Sequence, residues 1–265
     1  MRIPPLDPAG RYGGRATSRP LPESEPLFDA LPASAREHLA HVWLSQAATE
    51  LRVARSFEVV HAALRDLRAD PGLVATAHRA MDDEHRHATL CREMASRYLG
   101  APVVDPPDLP FEPPTHPLAE SEDERRALHV VGQCAFNETF ASAYLAAAQD
   151  GATVPLARAA LRELMADEVD HARIGWGYLS TLPPRLKPRV EDWLLPLATT
   201  NLREWRRLQE SPHDASHLAS HGFPPPAIIE EALTTALRDL VIPGLDHFGY
   251  RTHRLAAWLN QGAPT

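Results

Sequence analysis

Apolar residues recur along most of this chain every three to four positions, the period of a helix buried on one face. Trp43, Ala47, Ala54, Phe57 and Leu64 mark one such face, and Gln46, Glu50 and His61 fall on the same seam. They predict a first helix from Ser34 to about Arg68, with Ser34-Ala35-Arg36-Glu37 as its capping box. Asp70-Pro71 supplies an N-cap and an N1 proline for a second helix, which runs to Tyr98 and is stopped by Gly100. A third helix opens with a second capping box, Ser121-Glu122-Asp123-Glu124, and ends near Asp150-Gly151. The fourth begins near Thr153-Val154-Pro155 and ends before Pro183-Pro184, and further helices are expected over about 186–210, 225–240 and 243–260. No stretch reads as a strand, so the fold class is all-α.

Two stretches break the helical period. Residues 1–33 are rich in Pro, Gly and Arg and read as an extended or disordered N-terminal segment. Residues 101–120 carry Pro102, Pro106, Pro107, Pro110, Pro113, Pro114 and Pro117. Stiff extended chain covers about 3.1 Å per residue, so this stretch can run the length of a bundle, as a long crossover between helices 2 and 3 requires. The expected division is an N-terminal segment (1–33), a four-helix bundle (34–182) and C-terminal helices packing on it (183–265).

Candidate chemistry sits on the second and fourth helices. Met81-Asp82-Asp83-Glu84-His85-Arg86-His87-Ala88 and Met165-Ala166-Asp167-Glu168-Val169-Asp170-His171-Ala172 both contain Asp-Glu-x-x-His, 84 residues apart. Residues i and i+3 share a helix face, so each copy aims a carboxylate and an imidazole at one point. Helix 3 adds Glu138 among small and aromatic neighbours, and a carboxylate turned inward there is costly unless paired or metal-bound. Helix 1 offers Glu50 or Glu58, and Glu50 is preferred because it continues the Trp43–Ala47–Ala54–Phe57 seam. Glu50 and Glu84 are 34 residues apart and Glu138 and Glu168 are 30, which lets each helix pair meet at mid-height around a short turn. The predicted metal ligands are Glu50, Glu84, His87, Glu138, Glu168 and His171. Four carboxylates and two imidazoles suit two iron ions, and manganese accepts the same set. Without metal the carboxylates repel, raising their pKa values or loosening the bundle.

Charge and composition narrow the function classes. A net charge of -8 and a pI near 5.9 argue against a nucleic-acid partner. Lys187 is the lone lysine among 27 basic residues, which reads as a coding bias towards arginine. No apolar run is long enough for a membrane span, the start lacks the apolar stretch of a signal peptide, and two cysteines do not suggest a disulfide framework. The expected location is cytoplasmic.

On these motifs, residues 34–182 resemble the ferritin-like di-iron carboxylate superfamily, with its Glu, Glu-x-x-His, Glu, Glu-x-x-His order. The spacings are most similar to the oxygen-activating branch, which includes arylamine N-oxygenases, bacterial multicomponent monooxygenase hydroxylases and the ribonucleotide reductase small subunit. Membership implies O2 binding at a reduced di-iron centre, oxidation of a substrate and an external electron donor or reductase. Arylamine N-oxygenases carry an additional His ligand one turn before the last motif; Leu164 stands there in this chain. The resemblance also implies that Asp83 and Asp167 hold the ligand His N–H groups. It places Cys91 beside the metal, where the ribonucleotide reductase subunit has its radical tyrosine, and Ser142 where related oxygenases place a threonine near the O2 site, as a candidate for proton delivery.

The leading functional expectation is an O2-dependent non-haem di-iron oxygenase or oxidase that hydroxylates, N-oxidises or desaturates a small organic substrate, free or carrier-bound, in a chain that could form a homodimer. Residues beyond 183 favour it, because they could wall a substrate pocket, with Trp176, Trp193, Trp205 and Trp258 as bulky surface. The alternatives are a ferroxidase, peroxidase or iron-storage protein, and a non-enzymatic helical interaction protein. His213, His217 and His221 recur at i+4 between Pro212 and Gly222 and read as a surface loop before an accessory metal site. His61, His78 and His129 read as packing or surface residues. Gly175 and Gly177 could permit a bulge or a close helix approach just past His171.

Overall fold

The computed structural model describes residues 19–23, 25–29, 31–104, 111–207 and 218–261. Every regular element among them is helical. No helix among them is long and apolar enough to cross a membrane. Helix α1 spans Ala33–Asp66 and α2 spans Pro71–Leu99. Helix α3 is built of three consecutive pieces: an α-helical Glu122–Val130, a π-helical Val131–Asn137 and an α-helical Glu138–Gly151. Helix α4 spans Pro155–Thr181 and α5 spans Lys187–Arg207. Helix α6 joins Pro226–Ala236, a π turn Leu237–Val241 and Ile242–His247, and α7 spans His253–Asn260.

Local chemistry explains most boundaries. The Asp70 side chain accepts the Gly72 N–H at 2.7 Å, Pro71 occupies the first turn of α2, and Gly100 closes that helix at φ +68°. Ser121 accepts the Glu124 N–H at 3.2 Å at the start of α3. Glu124 reaches back one residue further than a capping box would, to the Glu120 N–H at 2.9 Å. The expected box at Ser34 does not form. Pro32 is the N-cap of α1, with no side-chain bond, and Ser34 lies inside the helix. The expected break near residues 240–243 also fails. The π turn absorbs Pro243 within α6, and the chain turns instead at Gly249, where φ is +72°.

Helices α1 and α2 pack along their lengths as a hairpin, α3 and α4 as another, and α2–α4 and α1–α3 contacts join the hairpins into a four-helix core. Residues 101–104 and 111–120 are non-helical, as the prolines require, and connect the two hairpins; Pro106, Pro107 and Pro110 lie outside the described residues. The apolar core falls into two clusters. One gathers Trp43, Ala47, Leu90, Met94, Leu145 and Leu164, and the other Phe57, Ala80, Phe136, Phe140, Ile174 and residues of α5–α7. Each of the four core helices contributes a buried polar group where the clusters meet: Glu50 on α1, Glu84 and His87 on α2, Glu138 on α3, and Glu168 and His171 on α4. Of the N-terminal segment, residues 1–18 lie outside the described residues. Its remainder is tied to the bundle end. Leu21 and Phe28 are buried, Phe28 stacks on Tyr98 with ring centroids 4.0 Å apart, and Arg97 donates to the Pro22 and Glu23 carbonyls.

Candidate metal centre

Glu50, Glu84, His87, Glu138, Glu168 and His171 all meet in the buried band between the two apolar clusters. Their ligand atoms fall into two groups, Glu50–Glu84–His87–Glu168 and Glu84–Glu138–Glu168–His171, each with all atoms within 4.8 Å of one another. Glu84 and Glu168 belong to both groups, so each stands where a carboxylate would bridge two cations. Glu58 is exposed on the outer face of α1 and takes no part.

Both imidazoles present the same atom inward. His87 Nδ1 lies 3.4 Å from Glu84 and 3.5 Å from Glu168, and His171 Nδ1 lies 3.0 Å from Glu84 and 3.4 Å from Glu168. Their Nε2 atoms face outward onto aspartates, in a crossed pattern. His87 Nε2–H donates to Asp167 Oδ2 at 3.2 Å, and His171 Nε2 stands 3.5 Å from Asp83 Oδ2. Each motif's aspartate therefore holds the other motif's histidine, which fixes the tautomer and turns Nδ1 to the centre. Arg86 ties the pairs together, donating to Asp83 Oδ1 at 2.6 Å and to Asp167 Oδ2 at 2.7 Å. Sequence reasoning missed Arg86. Its position between Glu84 and His87 in the first motif, where the second has Asp170, is the signal that was there to find.

Burial pushes the Glu50 carboxyl well above the ordinary range, with the Glu84 charge adding to it. Glu138 rises for the same reason, helped by Glu168 and Glu84. Burial alone would raise Glu84 too, but the His171 and His87 rings facing it outweigh burial and hold Glu84 low. Burial opposes charge on the histidines, yet the Asp167 bond and Glu84 bring His87 up to about 10, and Asp83 and Glu168 raise His171. Asp167, despite its burial, is held at about 2 by His87 and Arg86.

Both Glu84 oxygens, Glu168 Oε2, His87 Nδ1 and His171 Nδ1 are buried without a hydrogen-bond partner. These are the atoms that converge on one another, and buried polar atoms are rarely left unsatisfied. Carboxylate oxygens with imidazole nitrogen form a donor set suited to divalent iron or manganese, so the residues present fit a metal pair.

A network behind Glu138 comes from the π turn in α3. Gln133 Nε2 donates to Glu138 Oε1 at 2.5 Å, a contact between residues five apart that the wider π turn brings onto one face. Ser56 donates to Gln133 Oε1 at 2.7 Å, and Asn137 accepts from Trp205 Nε1 at 3.0 Å. On the opposite side Gln46 donates to Glu50 at 2.5 Å. Of the two roles open to the α4 glycines, a bulge or a close helix approach, the structure shows the second, and the π turn lies in α3. Helix α4 is continuous, and Gly175 serves the close approach, since a Cβ there would come within 2.3 Å of the Ala135 backbone nitrogen.

The four glutamates open onto a cavity of about 880 Å³. One face of α5 lines it through Trp193, Pro196, Leu197, Thr200, Asn201 and Trp205, and Phe111–Pro117 and Phe223–Pro226 contribute further wall. Trp176 and Trp258 pack against the core and do not line it. Cys91 and Cys134 are fully buried, and burial pushes both thiols up, with Glu50 near the first and Glu138 near the second. The Ser142 hydroxyl is buried without a partner, but the lining one turn past Glu138 comes from Ala141, Tyr144 and Leu145. Leu164 is buried in apolar packing. His129 is buried and lines the cavity, whereas His61 and His78 pair edge to face at 5.3 Å near the hairpin turn. His213 and His217 lie outside the described residues. His221 departs from the surface-loop expectation, being buried with its Nδ1 2.8 Å from the Tyr98 hydroxyl.

No protein-family model, no curated protein and no solved structure matches the chain.

Proposed function

We propose that this chain is a ferritin-like, O2-dependent di-iron oxygenase or oxidase acting on a small organic molecule. The reading rests on one observation: unpaired, converging carboxylate and imidazole atoms form the floor of a cavity large enough for an organic substrate. Glu50 and His87 would hold one ion, Glu138 and His171 the other, and Glu84 and Glu168 both. A reduced iron pair supplies the capacity to bind and activate O2.

The protein's own part is positioning. Asp83, Asp167 and Arg86 lock the imidazole orientation, and Gln46 and Gln133 orient the terminal carboxylates Glu50 and Glu138. The apolar clusters close the band on either side and leave the cavity as the approach to the floor. The α5 wall shapes the space over Glu50 and Glu138 and would present a substrate bond to the floor. The cavity also favours oxygenation over iron storage, which has no use for a space of this size. Electrons would come from an external donor.

Anaerobic ferrous titration of the full chain, followed by mixing with O2, tests the reading. Two irons per chain and O2 uptake matched to loss of ferrous iron are expected. No stoichiometric uptake would sink the site assignment, and uptake with no O2 reaction would sink the oxygenase reading.

A further inference from the structure

The cavity wall also holds a second group of residues that the metal centre does not use. His116 lies in the crossover segment, is buried and lines the cavity, and its Nε2 has no hydrogen-bond partner. Its backbone sits at φ +44°, in the left-handed region where histidine is among the enriched non-glycine residues, and its carbonyl accepts the Ala119 N–H at 2.9 Å in the turn that follows. Its ring meets Trp193 of α5 edge to face, with centroids 5.4 Å apart and planes at 87°. Trp193 lines the cavity too, as do Phe111 and His129.

The rest of the lining limits what could satisfy His116. The wall amides already have partners: Gln46 bonds Glu50, Gln133 bonds Ser56 and Glu138, Asn137 accepts from Trp205, and Asn201 donates to the Leu197 carbonyl. Among the described lining residues Arg52 is the one Lys or Arg, and Glu112 and Glu204 also line the cavity. An anionic group would therefore enter without a surplus of positive charge to replace its water. An uncharged ring finds aromatic and aliphatic wall, and a single polar substituent finds the His116 nitrogen.

We infer that His116 and Trp193 form a substrate-recognition subsite for an uncharged, ring-bearing molecule with a hydroxyl or comparable hydrogen-bonding group, seated on Trp193 and bonded to His116 Nε2. This deepens the proposed function, because the same molecule would extend towards the carboxylate floor, but the binding itself does not require metal.

Equilibrium dialysis of the full chain against three probes with one ring system tests it: 2-naphthol, 2-methylnaphthalene and 2-naphthoate. Naphthol should bind at one site per chain, methylnaphthalene about tenfold more weakly for want of the hydrogen bond, and naphthoate at least tenfold more weakly than naphthol. His116→Asn tolerates the positive φ but shortens the side chain. It should bring naphthol down to the methylnaphthalene level and leave methylnaphthalene unchanged. Trp193→Ala should weaken both uncharged probes together. The subsite is overturned by naphthoate binding as tightly as naphthol, by no binding of either uncharged probe, or by His116→Asn leaving naphthol unchanged or weakening both uncharged probes alike. Iron titration of the same preparations separates the two readings. A chain that takes up two irons but no naphthol loses the subsite alone, and one that binds naphthol but no iron loses the metal reading alone.

Discussion

Glu84 and Glu168 are the residues on which both ligand groups depend, and the two histidines are held from behind by carboxylates on the opposite motif. Replacing Glu84 or His171 with Ala should abolish binding of at least one iron per chain, measured by metal analysis after anaerobic loading; full occupancy in both variants would refute the ligand assignment. Glu58→Ala should leave metal content unchanged, because that side chain faces solvent. His129 offers a pH test away from the metal. Burial lowers its pKa to about 4, against the bond its Nε2 makes to the Ser56 carbonyl. A base with a folded-state pKa below its unfolded value binds its proton first in the unfolded chain. Stability is therefore untouched above about pH 6.5 and falls as pH drops from there towards 4, by up to about 3 kcal/mol. His129→Leu should flatten that part of the curve in denaturant melts between pH 7 and 4; an unchanged slope would show that His129 is not responsible.

At the scale of the element, the π turn in α3 does most to shape the site. It lines up Gln133 with Glu138 and brings the Cys134–Ala135 backbone against Gly175 of α4. Within an ordinary helix interior, Gly→Ala stabilises by roughly 0.5–1 kcal/mol. At Gly175 the sign should reverse, because the added Cβ meets rigid backbone rather than a movable side chain. Gly175→Ala should cost about 3 kcal/mol and lower the melting temperature by several degrees; a neutral or stabilising result would mean that the two helices are not in this contact. Helix α5 has a different task. Its residues at three- and four-residue spacing turn one face to the cavity and leave Val190, Leu194, Ala198 and Leu202 for the core.

For the whole molecule, the polar band divides the apolar core in two. Burial with mutual charge raises Glu50 and Glu138, the facing carboxylates raise the histidines against their burial, and Glu84 is held low. A ligand that binds only the folded chain stabilises it by mass action, about 2.7 kcal/mol at a hundredfold excess over Kd. Metal loading should thus raise the melting temperature and a chelator should lower it, whereas a chain indifferent to ferrous or manganous ions would have no metal centre. The C-terminal helices join the same apolar cluster as the bundle's far half, so their removal should unfold that half as well as open the cavity.

Periodicity, caps and the doubled Asp-Glu-x-x-His determined by themselves that the chain is helical, where most helices begin and end, and which six polar side chains share inward faces. These are local properties, set by neighbours within a few residues. The tertiary structure alone decided the rest. The π turn is invisible to a period count, because the extra residue is absorbed by packing against Gly175. The crossed aspartate–histidine pairs and Arg86 depend on how two hairpins face one another. The failed cap at Ser34 is one local signal displaced by another, since Pro32 already starts the helix, whereas the burial of His221 shows a tertiary contact overriding a local signal, since Tyr98 supplies the partner. His116 is a lone histidine among prolines in sequence and becomes a candidate recognition group only when α5 closes over it, since burial, and with it the cost of an unpaired nitrogen, is a property of the assembled fold.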